Sequence, residues 1–144
     1  MKLKVYCDGL YEPRYRADGW SCWAWIAFDE EGKTVHEARG CLGRGRAKFS
    51  NNVAEYNAVG RAVRWLADND HSAEVFTDSN LVVNQVNGVW ACNAENLMPL
   101  CHRIQDLLAT VEGVTLSWIP RAKNVVADAL TQKAYAEARI GSVA

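Results

Sequence analysis

A chain of 144 residues, 49% of them hydrophobic and 23% charged, has the length of one domain and enough apolar mass for a core, which excludes wholesale disorder. Sixteen Lys and Arg against 17 Asp and Glu give a net charge of −1, which excludes the global basic field of many nucleic-acid binders. No apolar run approaches the roughly 20 residues needed to span a bilayer, and Lys2 and Lys4 lead straight into strand-like sequence with no signal-peptide core.

Residues 3–8 read as a first strand, with Val5 and Cys7 alternating with Lys4 and Tyr6, and Asp8-Gly9 is expected to end it. An irregular stretch over 9–19 follows. Residues 20–28 are nearly all apolar and read as a strand covered on both faces. The turn signal at 29–32 makes a hairpin with a third strand at 33–42. A helix follows, capped by Ser50 or Asn51, because Glu55, Val59, Ala62 and Leu66 recur on one helical line; it is expected to end near 68–70. Residues 73–77 form a short strand that runs into Asp78 and Ser79. Residues 79–86 are a short helix ended by Gly88. Leu97, Cys101, Ile104, Leu108 and Val111 mark an amphipathic helix over 95–111, stopped by Gly113. A strand at 114–119 halts at Pro120, a last helix covers 124–137, and the tail to Ala144 is expected to fray. The order β-β-β-α-β-α-α-β-α predicts an α/β domain over 1–144: a mixed five-stranded sheet flanked by helices, with an antiparallel opening hairpin and parallel crossovers.

Four acids stand where structure alone gives little reason for them. Asp8 and Asp78 end strands that the topology makes parallel neighbours, and ligands of open α/β sheets bind outside the carboxyl ends of strands. Glu55 lies on the apolar line of its helix, and Asp128 sits among Val125, Val126, Ala127 and Leu130. Taken singly, each has an ordinary reading as turn, cap or first-turn acid. Gathered at one end of a sheet they repel, and hard divalent cations with all-oxygen ligation, Mg²⁺ or Mn²⁺, remove that conflict. Two such ions activate water and stabilise a leaving oxygen, the chemistry of a metal-dependent phosphodiesterase.

Tyr6-Cys7-Asp8-Gly9, Ser50-Asn51-Asn52-Val53-Ala54-Glu55, Thr77-Asp78-Ser79-Asn80 and Ala127-Asp128-Ala129-Leu130 together resemble type 1 ribonuclease H, in order and in separation, across nearly the whole chain. Leu81 to Gln85 and Ile119-Pro120-Arg121 are most similar to the compact branch, which lacks an extra basic helix-loop; residues 88–96 hold no Lys or Arg. The resemblance implies a ribonuclease H-like fold and hydrolysis of the RNA strand of RNA–DNA hybrids, leaving 3′-hydroxyl and 5′-phosphate ends. It implies Asp8, Glu55, Asp78 and Asp128 as the catalytic quartet that holds two Mg²⁺ ions, with Mn²⁺ as a substitute, Asp8 bridging. It also implies that Asn51, Asn52 and Asn80 touch the hybrid's minor groove, with its 2′-hydroxyls. A monomer without a membrane partner is expected, and no protein partner is inferable. A hybrid-binding module without catalysis, or a nuclease for another nucleic acid, are the alternatives.

The loop at 118–124 has no histidine where many relatives carry one, and Arg121 or Lys123 is available there for a phosphate. His36, His71 and His102 read as surface or packing residues, and Trp20, Trp23 and Trp25 as strand packing. Between Glu37 and Glu55 there is no acid, and Arg44, Arg46 and Lys48 are candidates to follow a polyanion backbone. The odd set Cys7, Cys22, Cys41, Cys92 and Cys101, without a C-x-x-C pair, argues against a disulfide framework and a zinc site and points to a reducing, cytoplasmic setting.

Overall fold

The computed structural model describes residues 2–12, 20–42 and 50–143, and for 141–143 only the backbone. Five strands, β1 (Lys2–Glu12), β2 (Trp20–Phe28), β3 (Thr34–Leu42), β4 (Ser72–Thr77) and β5 (Val114–Trp118), form one sheet in the order β3-β2-β1-β4-β5. The β1–β2 and β2–β3 pairs are antiparallel, and β1–β4 and β4–β5 are parallel. The expected mixed sheet and element order are therefore what the chain adopts. Arg44, Arg46, Lys48 and the 13–19 part of the irregular stretch lie outside the described residues.

Helices α1 (Asn51–Asp68), α2 (Asn80–Val86) and α3 (Met98–Thr110) lie on one face, and α4 (Val125–Val143) on the other. Alternation along β2 explains both layers. Trp25 and Ala27 join Leu3, Val5, Val59, Val63, Leu66 and Ile104 in the larger core, while Ala24 and Ile26 meet Leu130 of α4 on the opposite face. Trp23 packs at the margin of the larger core beneath the Arg61 guanidinium, 4.3 Å from its ring centre. His36 stacks on Trp65 at 5.3 Å, and His71 lies 4.9 Å from the same ring, so both serve packing. His102 is exposed on α3.

Ser50, not Asn51, caps α1: its Oγ accepts from the Val53 amide at 3.3 Å. α3 starts at Met98 rather than 95 because Pro99, fixed in φ and without an amide donor, occupies the first turn. α4 runs on to Val143, past the expected end at 137, and Arg39 of β3 holds Glu137 through contacts of 3.0 and 3.1 Å. Inside the larger core, the Tyr56 hydroxyl donates to Gln85 Oε1 at 2.6 Å. Tyr56→Phe leaves that buried amide oxygen without its donor, and a denaturant titration is expected to read a loss of about 1–2 kcal/mol.

Two expectations need correction. β1 does not end at Asp8; it continues to Glu12 against β2, while its pairing with β4 stops at Cys7↔Thr77. Gly9 is thus a strand glycine, not a turn. A Cβ there would lie 2.5 Å from the backbone of Ala54 and Glu55, so only glycine lets α1 approach this closely. The expectation against disulfides also fails, since Cys22 and Cys41 are bonded. They stand directly opposite each other in the β2–β3 register, a proximity that their 19-residue separation conceals. Cys7, Cys92 and Cys101 are free thiols. No helix among the described residues is long and apolar enough to cross a membrane.

Candidate active site

The end of β4 builds the site. Because β1 outlasts β4, Asp8 stands one residue past the last parallel pair, and Asp78 follows Thr77 at the same level. Side-chain alternation sets both on the face of Tyr6 and Phe76. Glu55 arrives from the first turns of α1, aimed by two contacts. Thr77 Oγ1 donates to its Oε2 at 3.4 Å, and the Gly9 amide also hydrogen-bonds to its carboxylate. One carboxylate oxygen from each of Asp8, Glu55 and Asp78 lies within 4.8 Å of the others. Asp128, in the first turn of α4, completes a cleft of about 440 Å³ and hydrogen-bonds to the Asp8 carboxyl.

The electrostatics follow from this crowding. Burial, then the charges of Asp78 and Asp128, push the Asp8 carboxyl up to about 7. Burial, then Asp8 and Asp78, push Glu55 well above the usual carboxylate range. Burial also raises Asp78, against the opposing pull of an Asn124 hydrogen bond and the Arg121 charge. Ionised together these acids repel one another, which on top of burial raises them, and their donor set is entirely oxygen. It fits hard divalent cations, with Asp8, Glu55, Asp78 and Asp128 as the residues that would hold them.

Asn51 and Asn52 are exposed and line the same cleft, as does Arg121. Asn80 is exposed at the start of α2, outside the cleft lining, and its Oδ1 accepts from Asn84 Nδ2 at 2.8 Å. Two positioning residues were missed in the sequence. Thr77 is fully buried and, besides holding Glu55, accepts from the Ser79 amide at 3.2 Å. Asn124, at the start of α4, is 1% exposed and donates to the Cys7 carbonyl at 2.8 Å as well as bonding to Asp78. It ties β1, Asp78 and α4 together. The only sequence signal for it was an amide side chain between an exposed loop and an apolar helix. Trp118 Nε1 donates to the Asp78 carbonyl at 3.2 Å and fixes the turn from the other side.

Gly9→Ala places a methyl group against the α1 backbone. We expect a stability loss of about 1–3 kcal/mol in denaturant unfolding, since overpacking against main chain cannot relax by rotamer change. The acid cluster should loosen with it, because Glu55 moves with the helix.

A family model described as reverse transcriptase-like matches residues 14–134. The ribonuclease HI of Halobacterium salinarum is 33% identical over 138 residues, covering 95% of this chain and 66% of that protein. The N-terminal ribonuclease H domain of Rv2228c from Mycobacterium tuberculosis superposes with a TM-score of 0.84 at 26% identity, over 98% of each chain. LC11-RNase H1, from a compost metagenome and solved with an RNA/DNA hybrid, gives a TM-score of 0.82 at 31% identity over 95% of this chain and 99% of that one. The chain spans 35% of the length of full-length Rv2228c, which it matches at 30% identity. A five-stranded sheet with carboxylates gathered where β1 outruns β4, a family match across most of the sequence, and identity to a ribonuclease HI over nearly all of it agree: the chain belongs to the reverse-transcriptase-like group of the ribonuclease H family.

Proposed function

We propose that this protein is an endoribonuclease that hydrolyses the RNA strand of RNA–DNA hybrids and leaves 3′-hydroxyl and 5′-phosphate ends. The observation that carries this reading is the convergence of Asp8, Glu55 and Asp78 within 4.8 Å, with Asp128 beside them in one open cleft. Two Mg²⁺ ions, or Mn²⁺ in their place, would supply a nucleophile from water and charge neutralisation at the leaving oxygen.

The chain's own residues do the rest. Asp8, on β1, and Asp78, just past the end of the adjacent β4, set the positions of the ligand oxygens to which the others adjust. Glu55, anchored by Thr77, sits between the acid cluster and the exposed amides of Asn51 and Asn52, where a minor-groove 2′-hydroxyl would be met. These amides offer both donors and acceptors, so they suit base edges and sugars without selecting a sequence. Asn80 would add a contact from the start of α2. Arg121, facing the cleft near Asp78, would take a phosphate oxygen. Asp8, Glu55, Asp78 and Asp128 line one cleft of a single chain, and we propose that a monomer acts.

A labelled hybrid incubated with Mg²⁺, with Mn²⁺ and with chelator tests this reading, beside matched RNA and DNA duplexes. Cation-dependent cutting of the RNA strand of the hybrid alone is the expected result. Equal cutting of an RNA duplex would reassign the substrate, and tight hybrid binding without cutting would make the protein a binding module.

A further inference from the structure

The 3₁₀ turn Arg121–Lys123 separates two cavities. Arg121 faces the acidic cleft, and Lys123 faces a second cavity of about 530 Å³ with a different chemistry. The volume lies in the range of small-molecule sites. Its floor is aromatic: Tyr6 and Phe28 meet edge to face at 5.9 Å, and Phe76 backs Tyr6 at 5.2 Å. Its roof is Val126, 46% exposed because α4 begins there and leaves this end of the sheet uncovered. Lys2 and Lys4 of β1 and Lys123 of the turn stand around the floor, and none of the three ammonium groups has a carboxylate partner among the described residues.

The far wall carries the opposite charge, already fixed in place. Asp29 Oδ1 accepts from the Glu31 and Lys33 amides at 2.9 Å each, and Glu30 Oε1 accepts from the Lys2 amide at 2.9 Å. Each carboxylate keeps its second oxygen for a ligand donor. One slot therefore offers a surface for a planar ring, cations for an anion and acceptors for hydroxyl or amino groups. A bare inorganic anion would leave the aromatic floor in water, and an apolar ligand would desolvate three lysines without compensation.

We propose that this second cavity is a mononucleotide site, with the base between Tyr6, Phe28 and Val126, the 5′-phosphate on Lys4 and Lys123, and the ribose toward Asp29 and Glu30. Stacking of a base on aromatic side chains tolerates every base, and lysine meets phosphate as a point charge, so the site selects the nucleotide class rather than one base. The Asp29–Gly32 turn and Lys123 of the 3₁₀ turn both line the slot, and one nucleotide is the occupant its volume is proposed to hold. The slot would bind its nucleotide whether or not the acidic cleft cuts hybrids.

Calorimetric titration of the full chain with adenosine 5′-monophosphate in chelator, which silences any cation-mediated binding at the acidic cleft, provides the test. Saturable binding at millimolar or lower concentration is expected, with adenosine and inorganic phosphate each at least about tenfold weaker, since each lacks half of the contacts. Lys4→Ala and Val126→Trp, both at exposed positions, should each weaken binding about tenfold or more, by loss of charge and by filling the roof. The same two variants should keep hybrid cleavage at the parent rate, which separates failure here from failure of the nuclease reading. No heat with the nucleotide, undiminished binding in both variants, or equal binding of inorganic phosphate would overturn the proposal. Tighter binding of the dinucleotide pApA than of the monophosphate would overturn the one-nucleotide slot.

Discussion

Asp78→Asn is expected to abolish hybrid cleavage while leaving the fold intact. Asp78 stands at the end of β4 beside Asp8, with its oxygen among the three that converge. The amide is isosteric, so the Trp118 contact to the residue-78 carbonyl and the Ser79 cap of α2 persist. What disappears is one negative charge from a site that must attract dications. Charge stabilisation of several kcal/mol at such a centre translates into a rate loss of about a thousandfold or more. A steady-state cleavage assay measures this, with circular dichroism as the control for folding. Near-parent activity in Asp78→Asn would remove Asp78 from the reaction.

Stability of the cation-free protein should fall as pH rises from about 4 to about 8, the reverse of the ordinary acid-denaturation trend for paired carboxylates. The sign follows from Asp8. Its carboxyl is raised in the fold from an unfolded value of 3.8 to about 7, so between those values the folded chain binds more protons than the unfolded one. Below the lower value both states are protonated and no penalty applies; above about 7 both are ionised and the full penalty applies. Ionising a carboxyl raised that far costs the fold about 4 kcal/mol at most. Glu55, raised in the same direction, adds to the effect. Denaturant unfolding in chelator across this range measures the slope. Adding Mg²⁺ at the alkaline end should restore much of the loss, because ligand binding to the folded state stabilises it. Asp8→Asn should flatten the curve.

The element order and the mixed sheet were legible because they are written in local pattern, and the four acids stood out against that same pattern. Alternation in β1, the nearly unbroken apolar run of β2, the 3.6-residue stripe of α1 and the apolar surroundings of Glu55 and Asp128 each follow from which faces are buried. What stayed hidden depends on contacts between distant segments. Gly9 read as a turn because its actual requirement, clearance from the α1 backbone, involves residues about 45 positions away. Cys22 and Cys41 looked unrelated until strand register placed them opposite each other. Thr77 and Asn124 are small polar residues whose work is to bond across elements, and no periodicity announces that. α4 outran its expected end because the 138–143 segment carries no strong apolar stripe to mark it.

The unequal lengths of β1 and β4 have one more consequence. From Asp8 to Glu12 the first strand is bonded to β2 along one margin only, and the opposite margin has no strand beside it among the described residues. The Gly9 amide already meets the Glu55 carboxylate; peptide groups of Leu10 and Tyr11 that reach no such side chain must find water or a ligand, and they belong to the main chain. Side-chain replacement at Leu10 or Tyr11 can reshape the surroundings but cannot erase those groups; only shortening the chain, or inserting residues that let β4 zip further, would close the margin.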